Sequence, residues 1–410
     1  GIDTNNKVLK NTTGFTASFL ENKLHVRGDF TFRNTDEGQT QRRIPVPYST
    51  HEGQTVELSA KYNDLKESNM RTEYIATNLY ADYEDTFGDA HYFKGMVGYN
   101  YEQSTYKSTY VQRNGLLLDD SENINLALGD AITTSGGYNR WRVAGGFFRL
   151  NYAFKDRYLL EVNGRYDGSS RFPHNDKWAF FPSASIGYRF SEEAFFAPLK
   201  KVVNNAKLRA SYGEIGNEAI GDYMFEALIS QRENTSASGY IYWVDGNGAN
   251  ANRLTQYNMP KLVSKSLTWE RIRTTDIGLD LGFLNNELTV GFDWYQRENR
   301  DMLAPAQVLP NSVGATAPYD NAGTLRTRGW ELNLDWHHKF GEFNVYANFN
   351  LSDSKTKVTK WNNDTKLLSS YYSGKNYGDI WGFETDRYFE ESDFTGQNAD
   401  GSWNYKSGIA

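Results

Sequence analysis

At 410 residues the chain is long enough for two or three ordinary domains or for one very large sheet. It contains no cysteine, which excludes zinc ribbons, disulfide frameworks and thiol nucleophiles. Its net charge of −7 is modest for the length, with no basic run that would point to nucleic acid, and no apolar run approaches the roughly 18 residues of a membrane helix.

Tyrosine, tryptophan, asparagine and glycine are abundant and prolines number only 9, a balance that favours long strands joined by polar loops. Residues 12–19 turn at Leu20, Glu21 and Asn22 into 23–34, where Leu24, Val26, Phe30 and Phe32 oppose His25, Arg27, Asp29, Thr31 and Arg33. A period of two puts each set on its own face of a pleated strand. A long polar stretch leads to 70–84, a turn through Phe87, Gly88 and Asp89, and a strand at 91–104. After a second long loop, 141–154 turns at Lys155 and Asp156 into 157–168. Strands follow at 178–190, 206–217, 267–283, 287–300, 323–339 and 343–355, and 356–410 reads as loop with short strand fragments.

Short and long connections alternate, as they do when strands run up and down and all tight turns share one edge. Aromatics stand beside the tight turns: Phe19, Tyr152, Phe154, Tyr158, Tyr188, Phe190, Phe283, Trp336 and Phe343. Such a ring fits the aromatic girdle of a membrane interface. About ten residues at 3.3 Å each, tilted near 45°, span roughly the 25 Å apolar band of an outer membrane. The expected fold is therefore all-β: a transmembrane antiparallel up-and-down barrel with an oily outside and a wet inside. A soluble β-sandwich has the same alternation, but strand length, loop rhythm and girdle favour the membrane.

Specific motifs lie in 146–217. Asn151-Tyr152, residues 156–161 and 165–172, Trp178 with Phe181-Pro182-Ser183, residues 208–213 and Gly216-Asn217 occur in order. This run closely resembles the barrel of SusC/RagA-type TonB-dependent outer-membrane transporters of the Bacteroidetes; 293–303, 321–334 and 377–387 are similar to further pieces of that family. The resemblance implies that about a dozen of some 22 barrel strands are present, with 1–355 barrel and 356–410 an extracellular loop region leading to further barrel segments. Gly1 follows no initiator Met or signal, and 401–410 is turn-like, so the expectation is an excerpt whose plug and final strands lie elsewhere. The implied activity is active import of a bulky nutrient, an oligosaccharide or a peptide, across the outer membrane of a Gram-negative cell. The implied partners are a SusD-like surface lipoprotein, the TonB–ExbB–ExbD complex acting through a plug, and outer-membrane lipid. A passive porin and a soluble β-rich binding module are the rival readings.

No catalytic or metal constellation is expected. His337 and His338 form the only adjacent histidine pair, at a strand end beside Trp336, without further ligands at metal-site spacing. Asp276 with Asp280, and Glu331 with Asp335, share strand faces but read as groups lining a wet lumen. By parity Lys207, Arg209, Asp276, Asp280, Asp293 and Arg297 point inward, toward lumen or plug. No cofactor is expected; loops 245–252 and 398–403 have the composition of calcium loops but lack EF-hand spacing, so turn chemistry is favoured over loop-bound calcium. Loop aromatics Tyr240, Tyr242, Trp243, Tyr371, Tyr372 and Trp381 are candidates for substrate contact, against the plainer reading that they pack the loops. Loops 35–69, 106–140, 218–266 and 356–410, with Tyr106 and Tyr110 among their aromatics, are expected to seat the lid lipoprotein.

Overall fold

The computed structural model describes residues 1–57, 63–118, 120, 122–129, 132–229, 231–233, 243–245, 252–253, 255–257, 260–305, 311–315 and 317–408. One 12-stranded sheet dominates, with its strands in chain order. These are β1 (Ile2–Phe19), β2 (Leu24–Arg43), β3 (Asp64–Phe87), β4 (His91–Asn114), β5 (Ile132–Phe154), β6 (Tyr158–Ser169), β7 (Trp178–Tyr188), β8 (Val203–Asn217), β9 (Glu270–Phe283), β10 (Leu288–Pro305), β11 (Tyr319–Phe340) and β12 (Phe343–Lys360). Every neighbouring pair is antiparallel. No helix among the described residues is long and apolar enough to cross a membrane, which says nothing about crossing with strands.

The tight connections fall on one edge, and their geometry follows from the strand twist. Lys155 and Asp156 have φ of 49° and 53°, and Leu284, Asn285 and Asn286 have 53°, 58° and 65°. Consecutive left-handed residues in a tight hairpin connection turn the chain with a twist that matches that of the flanking strands. The connection from Tyr188 to Val203 lies on the same edge and contains two 3-10 turns, Phe190–Glu192 and Ala194–Phe196.

Several strands outrun their sequence boundaries. The segments expected as loops at 35–69 and 106–140 are largely sheet, because β2, β3, β4 and β5 extend well past the apolar band. Tyr106 and Tyr110 accordingly sit in β4, not in a loop. Out there both faces are wet, so the backbone ladder continues without any apolar alternation to announce it. Two boundaries move the other way. Phe190 leaves the sheet and packs edge-on against Phe196 at 5.4 Å. Leu267 and Trp269 precede β9 and enter a buried cluster with Phe172, Ala179 and Phe181. The strand expected to end at Lys355 runs to Lys360.

The dry cores lie under the long loops. The cluster around Phe172 and Trp269 takes in Ile220, Met224, Phe225 and Leu303, and a second one joins Leu65, Leu116 and Ala127. The sheet's own apolar face stays uncovered: Ile186 is 60% and Leu208 47% exposed. By contact the chain forms two compact units, 1–375 and 376–410. The second unit holds a small hairpin, Phe394–Gln397 with Trp403–Tyr405.

Candidate functional site: the polar inner face

Register resolves the sheet into two chemically opposite faces. Leu208, Leu279, Phe292, Leu332 and Leu351 line up across β8 to β12. The intervening positions carry Lys207, Arg209, Asp276, Asp280, Asp293 and Arg297 on the other face.

Three of those six meet. Arg209 donates through Nε and Nη2 to the two oxygens of Asp280, both at 2.8 Å, and through Nη2 to Asp293 at 3.2 Å. The bidentate fork fixes the guanidinium plane as well as its charge. Gly278 lies between these groups: a Cβ there would stand 2.6 Å from Cζ of Arg209 and closer still to the Asp293 carboxylate. Asp276 and Lys207 line the adjoining hollow together with Asn151 and Glu161. Arg297 is exposed and joins no ion pair among the described residues.

The same face continues as a hydrogen-bonded ladder on β2 to β6. Asp82 is buried and pairs with Arg27 and with His25 Nδ1. Asn100 donates to Asn78 at 2.7 Å and Asn78 to Asp29 at 3.0 Å. Arg165 holds Asp167 with two bonds, of 3.0 and 2.9 Å. Asp167 in turn occupies the space that a side chain at Gly145 would need. This gives Gly145 of the Gly145-Gly146 pair a packing role.

Toward the long-loop edge aromatics join in. Tyr74 donates to Glu102 at 3.0 Å, lies 5.1 Å beneath the guanidinium of Arg33 and 6.4 Å from Trp141. Arg171 stands over Trp141 at 4.9 Å and holds Asp222 at 2.8 Å and Glu218 at 3.1 Å. Burial keeps the Glu218 carboxyl above the ordinary range against the pull of the Arg171 charge. A polar hollow of about 510 Å³ lies among Lys10, Arg33, Tyr74, Asn78, Asn100 and Glu102. Tyr74, Trp141 and Arg171 were missed from sequence. Tyr74 and Trp141 could have been found by parity, since both fall on the polar face of an alternating strand. Arg171 reaches them from a loop, which parity does not address.

Of the loop aromatics, Tyr240 and Tyr242 lie outside the described residues, and Trp243 belongs to a short strand, Trp243–Asp245. Tyr371 meets Trp361 edge-on at 5.1 Å, and the Lys375 ammonium stands 5.7 Å from the rings of both Tyr371 and Tyr372. Trp381 is exposed in the second unit. His338 Nδ1 bonds Glu287 at 2.7 Å, and His337 stacks on Tyr346. No group of three or more His, Asp or Glu among the described residues is placed to hold a metal. In the 398–403 loop the Asp400 carboxylate accepts from both N and Oγ of Ser402, which uses it in a turn. The core of the 245–252 loop lies outside the described residues.

An uninterrupted up-and-down sheet, oily on one face and ionic on the other, is barrel wall, and comparison with known proteins agrees. The family model described as TonB dependent receptor-like, beta-barrel matches residues 2–408. The chain belongs to this family. A similar relative is TonB-dependent receptor P26 of Formosa agariphila, 30% identical over 280 residues, which are 67% of this chain and 27% of that protein. TonB-dependent receptor SusC of Bacteroides thetaiotaomicron is 27% identical over 343 residues, 80% of this chain and 31% of that protein. The chain thus spans less than a third of these relatives' length. A solved structure of the RagAB peptide importer in its closed-closed state shares the fold at a TM-score of 0.77 and 19% identity, covering 99% of this chain and 44% of that one. In this wall the leucine row and the Arg209 row lie on opposite faces.

Proposed function

We propose that this chain forms wall and outer loops of an outer-membrane importer for a bulky nutrient, an oligosaccharide or a peptide. TonB supplies the energy through a plug, and a SusD-like surface lipoprotein covers the mouth. The inner face carries this reading. Its groups are charged, mutually hydrogen-bonded and wet, a surface that holds a plug through exchangeable bonds and releases it at modest cost because water substitutes for each lost partner. Near the long-loop edge Tyr74 and Trp141 offer ring faces beside Arg33, Glu102 and Arg171, the pairing of stacking surface with polar groups that suits sugar rings and peptides alike. The long loops at 115–131 and 218–269 supply the lid's seat.

The experiment uses the full-length receptor in cells offered labelled oligosaccharides and peptides. Uptake should vanish without TonB, whereas a passive pore would keep it. Removing most of 218–266 should weaken recovery of the lipoprotein while the barrel still reaches the membrane. Unchanged recovery and unchanged uptake after that deletion, and after a second one within 115–131, would refute the lid.

A further inference from the structure

Past the end of β8 the chain first lies down as a short arm, residues 218–225, before its long excursion. Ile220, Met224 and Phe225 pack against the buried cluster of Phe172, Phe181 and Trp269. Tyr223 donates its hydroxyl to the backbone oxygen of Arg140 on β5 at 3.2 Å. Its own backbone is left-handed, with φ of 61°, a conformation that costs a bulky residue free energy and favours release. Between these points Arg171, from the loop after β6, donates through Nε to Asp222 at 2.8 Å and through Nη1 to Glu218 at 3.1 Å. β5 to β8 stand mid-sheet with a neighbour on either side, so these contacts owe nothing to the open edges at β1 and β12.

The charges around the arm are less settled than its packing. Glu102 of β4 faces Glu218 as a third carboxylate beside Asp222. It is bonded by the Tyr74 hydroxyl at 3.0 Å and answered by the charge of Arg165 on β6. Three acids thus stand close together beside Arg171. Oε2 of Glu218 is buried and has no hydrogen-bond partner among the described residues. Burial raises the Glu218 carboxyl above its ordinary 4.5, and the Glu102 and Asp222 charges push the same way, together outweighing the Ser169 hydroxyl and the Arg171 charge.

We propose that Glu218 is a proton-operated clasp: taking up a proton there tightens the 218–225 arm against Arg171 and β5, and giving it up loosens the arm. The inference rests on the reading of 218–269 as an outer loop of an importer and adds to it control by pH. A neutral carboxyl keeps its Arg171 bond through Oε1 and carries the proton on Oε2, where an unbonded hydroxyl costs far less to bury than part of a carboxylate charge. Arg171 is then left to Asp222, its closer partner, and the repulsion among three acids falls to that between two. Linkage fixes the direction. The docked arm binds the proton more tightly than the released arm, so docking is strongest below about pH 4.5 and weakens as pH rises through the raised value. The packing of Ile220, Met224 and Phe225 is indifferent to pH and keeps the seat in place, so the proton sets how often the arm opens.

The test measures hydrogen exchange on the full-length receptor in nanodiscs, without nutrient or lipoprotein, as protection relative to the intrinsic exchange rate at each pH. Protection in 219–225 should rise severalfold from about pH 8 to about pH 5, while protection in 143–154 of β5 stays level and reports an intact wall. Glu218→Gln, neutral at every pH, should hold the arm at the protected level throughout. Glu102→Gln should move the midpoint of the rise to lower pH, because one repelling charge is gone. A level profile in the unmodified receptor, protection that falls toward acid, an unchanged rise in Glu218→Gln, or an unmoved midpoint in Glu102→Gln would each overturn the proposal. The first two need no substitution, so a folding defect cannot mask them. Nutrient uptake bears on the import reading alone: a receptor that shows the proton response but imports nothing would sink that reading and leave the clasp standing.

Discussion

At position 278 any side chain larger than hydrogen competes with the guanidinium of Arg209 and the carboxylate of Asp293 for one volume. Gly278→Ala should therefore separate Arg209 from Asp293. The groups involved are partly exposed, at 33%, 35% and 20% for Arg209, Asp280 and Asp293, so water screens the loss to about 1 kcal/mol or less. A urea titration of refolding into vesicles measures it, and an unchanged midpoint together with an intact Arg209–Asp293 pair would show that the glycine is dispensable. The lipid side responds on another scale. Leu279→Arg or Leu332→Arg should cost about 2–4 kcal/mol near mid-membrane, and Asn333→Arg on the wet face much less. Equal costs on both faces in the same titration would contradict the assignment of faces. Alternation alone places Arg209, Asp280 and Asp293 on one side. That Arg209 clasps both acids was not legible, because partners across strands depend on register and on the space left by a glycine.

Elements were legible in proportion to the contrast between their two faces. Within the apolar band, as at Tyr158, Leu160 and Val162 against Glu161 and Asn163, the period of two locates the strand. Beyond it, as in the outer half of β2 (Leu24–Arg43), polar residues occupy both sides and the ladder continues unannounced. The tight turns were readable from Asn and Gly. The departure of Phe190 and Trp269 into packed clusters was not, since an aromatic at a strand end suits a girdle and a loop core equally well. In the second unit, Asp393 fastens the start of the small hairpin: its oxygens accept from Arg387 at 2.6 and 2.7 Å and from the Glu390 backbone N–H at 2.8 Å. These bonds, the Arg387 side chain first, lower the Asp393 carboxyl from 3.8 to about 2. A carboxyl depressed on folding stabilises fully above its unfolded value and loses that stabilisation as pH falls through the folded one. Amide protection in 387–406, taken relative to the intrinsic exchange rate at each pH, should thus be flat above about pH 4 and fall between about pH 4 and 2. Asp393→Asn should be nearly insensitive to pH over that window, and an identical acid response in both proteins would rule out this carboxyl as the cause.

For the whole molecule, the decisive property is a sheet whose order equals chain order. Produced alone, residues 1–410 would present β1 and β12 with bare backbone edges, which hydrocarbon does not tolerate. They should aggregate or fail to insert; monodisperse, ion-conducting insertion would instead point to a smaller closed barrel. The overall architecture was legible because it repeats the same hairpin signal along the chain, whereas the use of the loops was not, since aromatics that pack a loop and aromatics that grip a ligand have the same composition. Chain-order pairing also bears on assembly. Each strand finds its first partner in the segment just before it, so most ladders close short loops and little entropy is spent on distant encounters. The longest excursion, between Asn217 and Glu270, still costs little more, since loop-closure cost grows only with the logarithm of length, about 0.6 kcal/mol per doubling. A wall of this kind can be laid down vectorially, each finished hairpin offering the template edge for the next, and its outer loops can lengthen over evolutionary time without disturbing the order in which it is built.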